Sequence, residues 1–360
     1  MSRPAIADIH LDHLRHNYQL ARRVHGHRVL AALKANAYGH GAVPCAQALS
    51  ELADGFGVAA IEEALELRAA GITAPILLLE GFFDASELPL IAQHNLWLTV
   101  HHRWQVDALL AAELSQPLHV WLKLDSGMHR VGLDPQEYRA AHAALLASGK
   151  VSDMVLMSHF ARADELDAEA TRQQLALFLQ CTEGLSGARS LANSPGLMGW
   201  PAAHSDWGRA GIMLYGSTPF PQPHPIANDL KPVMRLSSKV IGVRELAANE
   251  PIGYGGATLT SRPSRIGVVA LGYADGYPRI ARNGTPVAID GQHSQLLGRV
   301  SMDMLTVDLT DLPACGPGSE VELWGPTVRV EQVAASAQTI SYEILCNVKR
   351  AHFRYHGGKA

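Results

Sequence analysis

The chain predicts an α/β fold, an N-terminal (β/α)8 (TIM-type) barrel followed by a C-terminal, mainly antiparallel β domain. Three observations lead there. Over roughly the first 220 residues, short apolar runs alternate about eight times with amphipathic stretches, the pattern of parallel strands joined by helices. Several runs end on residues able to do chemistry: Lys34, Asp125 with Arg130 just beyond, His159, Asn193-Ser194 and Arg209. In a barrel such positions converge on one face. From about Pro221 the pattern changes to short β-like runs broken by Gly and Pro. An open doubly wound sheet shares the local strand–helix pattern, and periodicity alone does not exclude it.

The elements follow in order. A short strand at 5–9 opens the chain and has the option of packing with the second domain. Apolar runs of strand length occupy 29–33, 56–60, 75–79, 96–100, 118–124, 154–157, 190–192 and 212–214. Longer mixed stretches at 11–24, 44–53, 61–70, 85–93, 103–113, 135–147 and 168–183 read as helices. Pro221, Pro223, Pro225 and Pro232 mark a linker, which divides the chain into a barrel over 1–225 and a β domain over 226–360. In the second part, runs at 236–243, 266–271, 286–289, 296–300, 305–309 and 321–324 read as strands, closed by a short helix near 342–348.

Composition narrows the function classes. The 360 residues are 47% hydrophobic and 18% charged, with a formal net charge of -4, which argues against nucleic acid as the main partner. No apolar stretch approaches bilayer length and no signal peptide is evident, so a cytoplasmic protein without a membrane partner is expected. Cys45, Cys181, Cys315 and Cys346 are scattered and read as reduced, mostly buried thiols. His25-Gly26-His27 and His101-His102 read as solvated, no clustered ligand set is evident, and no metal is assigned.

Lys34 closes the run 29–33 and precedes Ala35-Asn36-Ala37-Tyr38-Gly39-His40-Gly41. Position alone favours a lysine snorkelling from a strand end. A buried amine, however, loses proton affinity and becomes a nucleophile for a carbonyl. The surrounding residues decide the matter. The segment 32–41 closely resembles the cofactor-attachment motif of the bacterial alanine racemases, enzymes that depend on pyridoxal phosphate. Eight further blocks resemble the same family in order: 121–132 (Trp-Leu-Lys-Leu-Asp-Ser-Gly-Met-His-Arg-Val-Gly), 158–164 (Ser-His-Phe-Ala-Arg-Ala-Asp), 192–194, 209–216, 252–256, 272–277, 298–304 and 339–343.

The resemblance implies a reaction and a division of labour. Interconverting L- and D-alanine requires removal of an α-proton and its return to the opposite face, with pyridoxal phosphate as electron sink. Lys34 would hold the cofactor and serve one face, and Tyr254 the other. A phenol is a poor base near neutral pH, so Tyr254 calls for cationic neighbours, with His159 and Arg209 as the candidates. Arg209, unable to deprotonate, would leave the ring nitrogen unprotonated and suppress transamination. By the same resemblance Tyr38, Ser194, Gly211, Ile212 and Tyr342 cradle the phosphate, and Arg130 and the backbone N–H of Met302 bind the substrate carboxylate. Lys123 matches a position that can be carbamylated to pair with Arg130. Asp164, Tyr273, Arg279, Arg299 and Ile340 line an entry corridor.

In the family, Tyr254, Tyr273 and Met302 reach the partner subunit's barrel, which implies a homodimer with shared active sites. The chain departs in one place: Ala210 stands where the family often has proline, which relaxes one φ angle beside the phosphate site. A serine or broad-specificity racemase on the same scaffold remains an alternative. A decarboxylase needs no base at Tyr254, and a non-catalytic pyridoxal phosphate-binding barrel needs no β domain.

Overall fold

The computed structural model describes residues 3–358; Met1, Ser2, Lys359 and Ala360 lie outside the described residues. The first strand, β1 (Ile6–His10), leads directly into the helix Leu11–His25. Eight parallel strands follow: β2 (Arg28–Ala32), β3 (Gly55–Val58), β4 (Ile76–Leu78), β5 (Trp97–Val100), β6 (Leu118–Lys123), β7 (Val151–Met157), β8 (Ala188–Ser190) and β9 (Trp207–Ala210). Each of β2 to β7 pairs with its successor, and β9 pairs with β2. The Arg209 N–H donates to Ala192 O at 2.9 Å across the seam between β8 and β9. The sheet is thereby brought nearly to a barrel rather than an open sheet.

Burial explains the apolar runs, because barrel strands face packed side chains on both surfaces. Every residue of β3 and β4 is buried. The run 212–214 departs from expectation: it is a 3-10 turn, Ile212–Tyr215, and the eighth barrel strand lies just before it. Trp207-Gly208-Arg209-Ala210 carries a glycine and a charge, so its strand character was masked. His25 is also corrected. It is buried rather than solvated, packed against His27 and His204, and burial pushes its pKa down to about 4.

The second part is built on β10 (Met234–Leu246), with β11 (Pro251–Ile252), β12 (Thr258–Leu259), β13 (Ser264–Val269), β14 (Pro286–Ile289), β15 (Gln292–Leu297), β16 (Leu305–Asp308) and β17 (Glu320–Trp324). Antiparallel pairings run from β10 through β17, β14, β15, β16 and β13 and back to β10, a closed ring. The chain ends in β18 (His352–His356). β1 sits between β10 and β18, so the chain's first strand belongs to the second sheet. The helix Ser341–Cys346 then meets the barrel: a Cβ on Gly39, at φ +80°, would lie 2.1 Å from Leu345 O. Only glycine allows that approach.

Candidate active site

Lys34 follows β2, and the next residues do something unusual. Ala35, Asn36, Ala37 and Tyr38 have φ of 52°, 53°, 54° and 51°, a left-handed turn that L-residues avoid singly and rarely adopt in series. Hydrogen bonds hold it. The Ala35 N–H donates to Glu63 Oε1 at 2.7 Å, the Ala42 N–H to Asn36 Oδ1 at 2.8 Å, and the Ala37 N–H to Leu33 O at 2.7 Å. Glu63 Oε2 takes the Ala59 N–H at 2.6 Å, so one carboxylate ties the ends of β2 and β3 together. The turn buries the Tyr38 ring against Tyr215 and tilts it toward Tyr342. Lys34 itself is half-buried.

Lys123 is the buried lysine of the site, 5% exposed at the end of β6. Desolvation, then Arg209, Arg130 and Lys34, push its pKa down to about 7. The expectation of a neutral buried amine thus fits this side chain. Arg209 is buried in β9 with no carboxylate partner among the described residues. Its guanidinium donates to Ser190 Oγ, to Ser158 O at 2.6 Å, to Leu191 O at 3.0 Å and to His159 Nδ1 at 3.3 Å. Burial draws its pKa down to about 10.

His159 was expected as a cation, and the structure corrects this. Burial and then the charges of Arg209, Lys123, Arg130 and Lys34 hold its pKa well below the ordinary range. The imidazole is neutral and accepts at Nδ1 from Arg209. Its Nε2 lies 3.4 Å from Asn193 Nδ2, while Asn193 Oδ1 caps Gly196 N–H. Asp125, two residues after Lys123, is engaged in its own loop: Oδ1 accepts the N–H groups of Gly127, Met128 and His129. That shapes the loop presenting Arg130, whose guanidinium makes no hydrogen bond or ion pair among the described residues. Among the described residues Arg130 therefore makes no hydrogen bond to Tyr254, and it acts on Lys123 only as a nearby charge.

Next to these cations lies a small cradle. Ser194 Oγ accepts from Gly211 N–H at 2.8 Å and faces Met213 N–H at 3.4 Å. A Cβ on Gly211 would sit 2.9 Å from the Tyr38 hydroxyl, so the space is kept by the missing side chain. Ile212 starts a turn there. The Tyr38 and Tyr342 hydroxyls donate to no acceptor among the described residues. Burial raises the Tyr38 pKa and pushes Tyr342 up to about 12, so both remain proton donors. Backbone N–H groups and unpaired tyrosine hydroxyls about a gap that a missing Cβ keeps open fit a phosphate group.

The remaining candidates form a second group. Tyr254 is 70% exposed and Met302 54% exposed; Tyr273, Arg279, Arg299 and Ile340 also face solvent. Tyr273 N–H donates to Ser301 O and Ala274 N–H to Met302 O, which places Tyr273 beside Met302. Arg299 lies beside the Gly255 turn next to Tyr254. Asp164 is half-buried on the barrel side, near Tyr342. Among the described residues, no hydrogen bond, ion pair or ring contact joins Tyr254 or Met302 to Lys34, His159 or Arg209. Glu63, Ser158, Ser190 and Tyr215 are site supports that sequence reasoning missed. Ser158 and Tyr215 stand inside motif blocks, whereas Glu63 and Ser190 carry no local signal.

Comparison with known proteins agrees with this geometry. A family described as alanine racemase, N-terminal domain, matches residues 9–219, and its C-terminal domain counterpart matches 233–356. The chain is 62% identical over 355 residues to a catabolic alanine racemase of Pseudomonas putida, covering 99% of each. The crystal structure of a biosynthetic alanine racemase from Pseudomonas aeruginosa superposes with a TM-score of 0.95 at 50% identity, covering 98% of this chain and 99% of that one. An alanine racemase from Bartonella henselae with covalently bound pyridoxal phosphate does so with a TM-score of 0.89 at 32% identity, covering 98% and 99%.

Proposed function

The chain belongs to the alanine racemase family, and from that premise we propose that it interconverts L- and D-alanine with pyridoxal phosphate by a two-base mechanism. The observation that carries the proposal is that Lys34, Arg130 and Arg209 gather about Lys123 and His159, with the Ser194–Gly211 cradle beginning two residues past Arg209. A phosphate and a carboxylate would both be at home there. Lys34 would hold the cofactor, and Tyr38, Ser194, Gly211, Ile212 and Tyr342 would receive its phosphate. The bound cofactor would supply the electron sink that acidifies the substrate's α-proton.

The chain's own residues divide the rest. Arg130, without a hydrogen-bond or ion-pair partner among the described residues, would bind the substrate carboxylate with the Met302 N–H. Lys34 Nζ would take or return the proton on one face and the Tyr254 phenol oxygen on the other. Arg209 would face the ring nitrogen as a donor that keeps its proton near neutral pH, while neutral His159 would accept from Arg209 and hold its orientation. A Lys123 amine with a pKa of about 7 has the free electron pair needed to add carbon dioxide. The nitrogen–carbon bond forms as one proton leaves, and the resulting anion would offset Arg130. Asp164, Tyr273, Arg279, Arg299 and Ile340 would form the corridor to solvent.

Tyr254 and Met302 lie on the β domain without contact to the barrel group, which supports a homodimer whose second copy completes each site. We place the division between barrel and β domain at 225/226, between the end of β9 and the start of β10. No described helix is long and apolar enough to cross a membrane, and a cytoplasmic location accords with the unpaired cysteines. The reaction would supply D-alanine for peptidoglycan or serve alanine catabolism.

The test is direct. The protein loaded with pyridoxal phosphate is expected to show a visible band that borohydride abolishes and to racemise L-alanine by circular dichroism. Tyr254→Phe should impair both directions while the band survives. A band without racemisation would favour a binding protein, and equal rates on serine and alanine would favour the broader racemase.

A further inference from the structure

The helix Glu169–Thr182 contributes one polar side chain to the underside of the site. Gln174 is 3% exposed. Its Oε1 accepts the Ala161 N–H at 2.9 Å and its Nε2 donates to His159 O at 3.0 Å. The second Nε2 proton points to Ser126 Oγ at 3.5 Å. These partners fix the amide's orientation, since Ala161 N–H needs an acceptor and His159 O a donor. The chain of bonds continues in a defined direction. Ser158 Oγ donates to Leu124 O at 2.8 Å, so Ser126 is the donor in its 2.7 Å bond to Ser158 Oγ. Ser158 O in turn accepts from Arg209 at 2.6 Å. On the other side, a Cβ on Gly127 would meet Gln174 Cγ at 3.4 Å.

We propose that Gln174 is a positioning residue that locks the Arg130 loop to the His159–Arg209 pair, so that carboxylate capture and proton transfer share one rigid support. This rests on the racemase reading above. Gln174 touches the loop that presents Arg130, through Ser126 and Gly127. It also touches the segment carrying His159, at the carbonyl of that residue and at the N–H of Ala161. A shift of its amide would therefore move the carboxylate anchor and the imidazole together.

Chemistry offers a test that a purely structural role would not pass. In Gln174→Glu, Oε1 can still accept from Ala161, but a carboxylate oxygen replaces the donor facing His159 O. When protonated, that oxygen becomes a donor again, and burial raises the pKa of such a carboxyl. In Gln174→Met the volume is retained and both bonds are lost at every pH. With the cofactor-loaded protein and alanine, Gln174→Glu is expected to lose about tenfold or more in kcat/KM near pH 9, with KM raised, as an unpaired buried carbonyl implies. Its ratio to wild type should recover as pH falls toward about 6. Gln174→Met should lose activity with a flat ratio. Calorimetric binding of acetate, a bare carboxylate, to the same proteins should weaken in parallel.

A flat ratio for Gln174→Glu would overturn the proposal. So would both variants lying within about twofold of wild type, or a loss that follows only the folded fraction. Wild-type protein that binds acetate without racemising alanine would sink the racemase reading, leaving Gln174 to be judged on acetate alone.

Discussion

His159 lies among basic side chains and has no carboxylate against it among the described residues, which makes its protonation state a measure of the whole site. Burial lowers its pKa first and Arg209 next. Replacing Arg209 by Gln should therefore raise the imidazole pKa, while burial keeps it below the ordinary value. An NMR titration of the histidine ring would show this, and an unmoved or lowered pKa would contradict the assignment. Lys123 gives a second signal, in stability. Its folded pKa of about 7 lies below the ordinary 10.5, so between those values the unfolded chain binds the extra proton and stability rises with pH. The destabilisation from Lys123 is complete below pH 7 and gone above 10.5. Lys123→Met should accordingly be more stable than wild type, measured without bicarbonate, by a margin that is largest below pH 7 and shrinks as pH rises. Urea unfolding at several pH values checks this, and a margin that grew with pH would refute it. Lys34, Lys123, Arg130 and Arg209 were visible in the sequence because each stands in or beside a run-plus-motif block. Gln174 and Glu63 were not, because their partners are backbone groups that only tertiary folding brings near.

The left-handed turn after Lys34 is an element no propensity rule anticipates. Four consecutive residues at positive φ cost about 1–2 kcal/mol each before compensation, and a strand followed by a helix was the simpler reading of 29–53. Glu63 supplies one compensation by accepting from Ala35 and Ala59 at once. Glu63→Gln can serve only one of these donors with oxygen and should cost about 1–2 kcal/mol. The loss should appear in the denaturation midpoint and in weaker cofactor retention on dialysis. Unchanged stability and retention would mean that the turn holds itself. Elsewhere, legibility followed burial. Strands flanked by core on both faces, such as 55–58 and 76–78, stood out as apolar runs. The helix Ser194–Gly199 contains Pro195 and Gly196 and is capped from Asn193, so it carried no periodic signal. β18, with the sequence His-Phe-Arg-Tyr-His, is an edge strand paired to β1 alone. Its mostly exposed polar side chains hide it from any hydrophobic pattern.

At the scale of the molecule, the two groups of candidate residues pose a question of completeness. The barrel gathers Lys34, Arg209 and the phosphate cradle, while the β domain holds Tyr254 and Met302 out toward solvent. The sequence showed that both domains coexist along one chain. It could not show which faces meet, because exposed tyrosine and methionine are compatible with any surface. If each site takes Lys34 from one protomer and Tyr254 from the other, subunits carrying separate lesions must complement. Lys34→Ala and Tyr254→Phe proteins should each be nearly inactive alone. Unfolded together, refolded in equal amounts and loaded with cofactor, they would form mixed dimers with one intact site and one doubly damaged site. Half of the dimers would be mixed, and half of their sites intact, so about one quarter of wild-type activity should return. Were each site built within a single chain, every subunit in the mixture would still carry its own lesion. Activity would then stay at the sum of the two mutants, and the shared-site reading would fall.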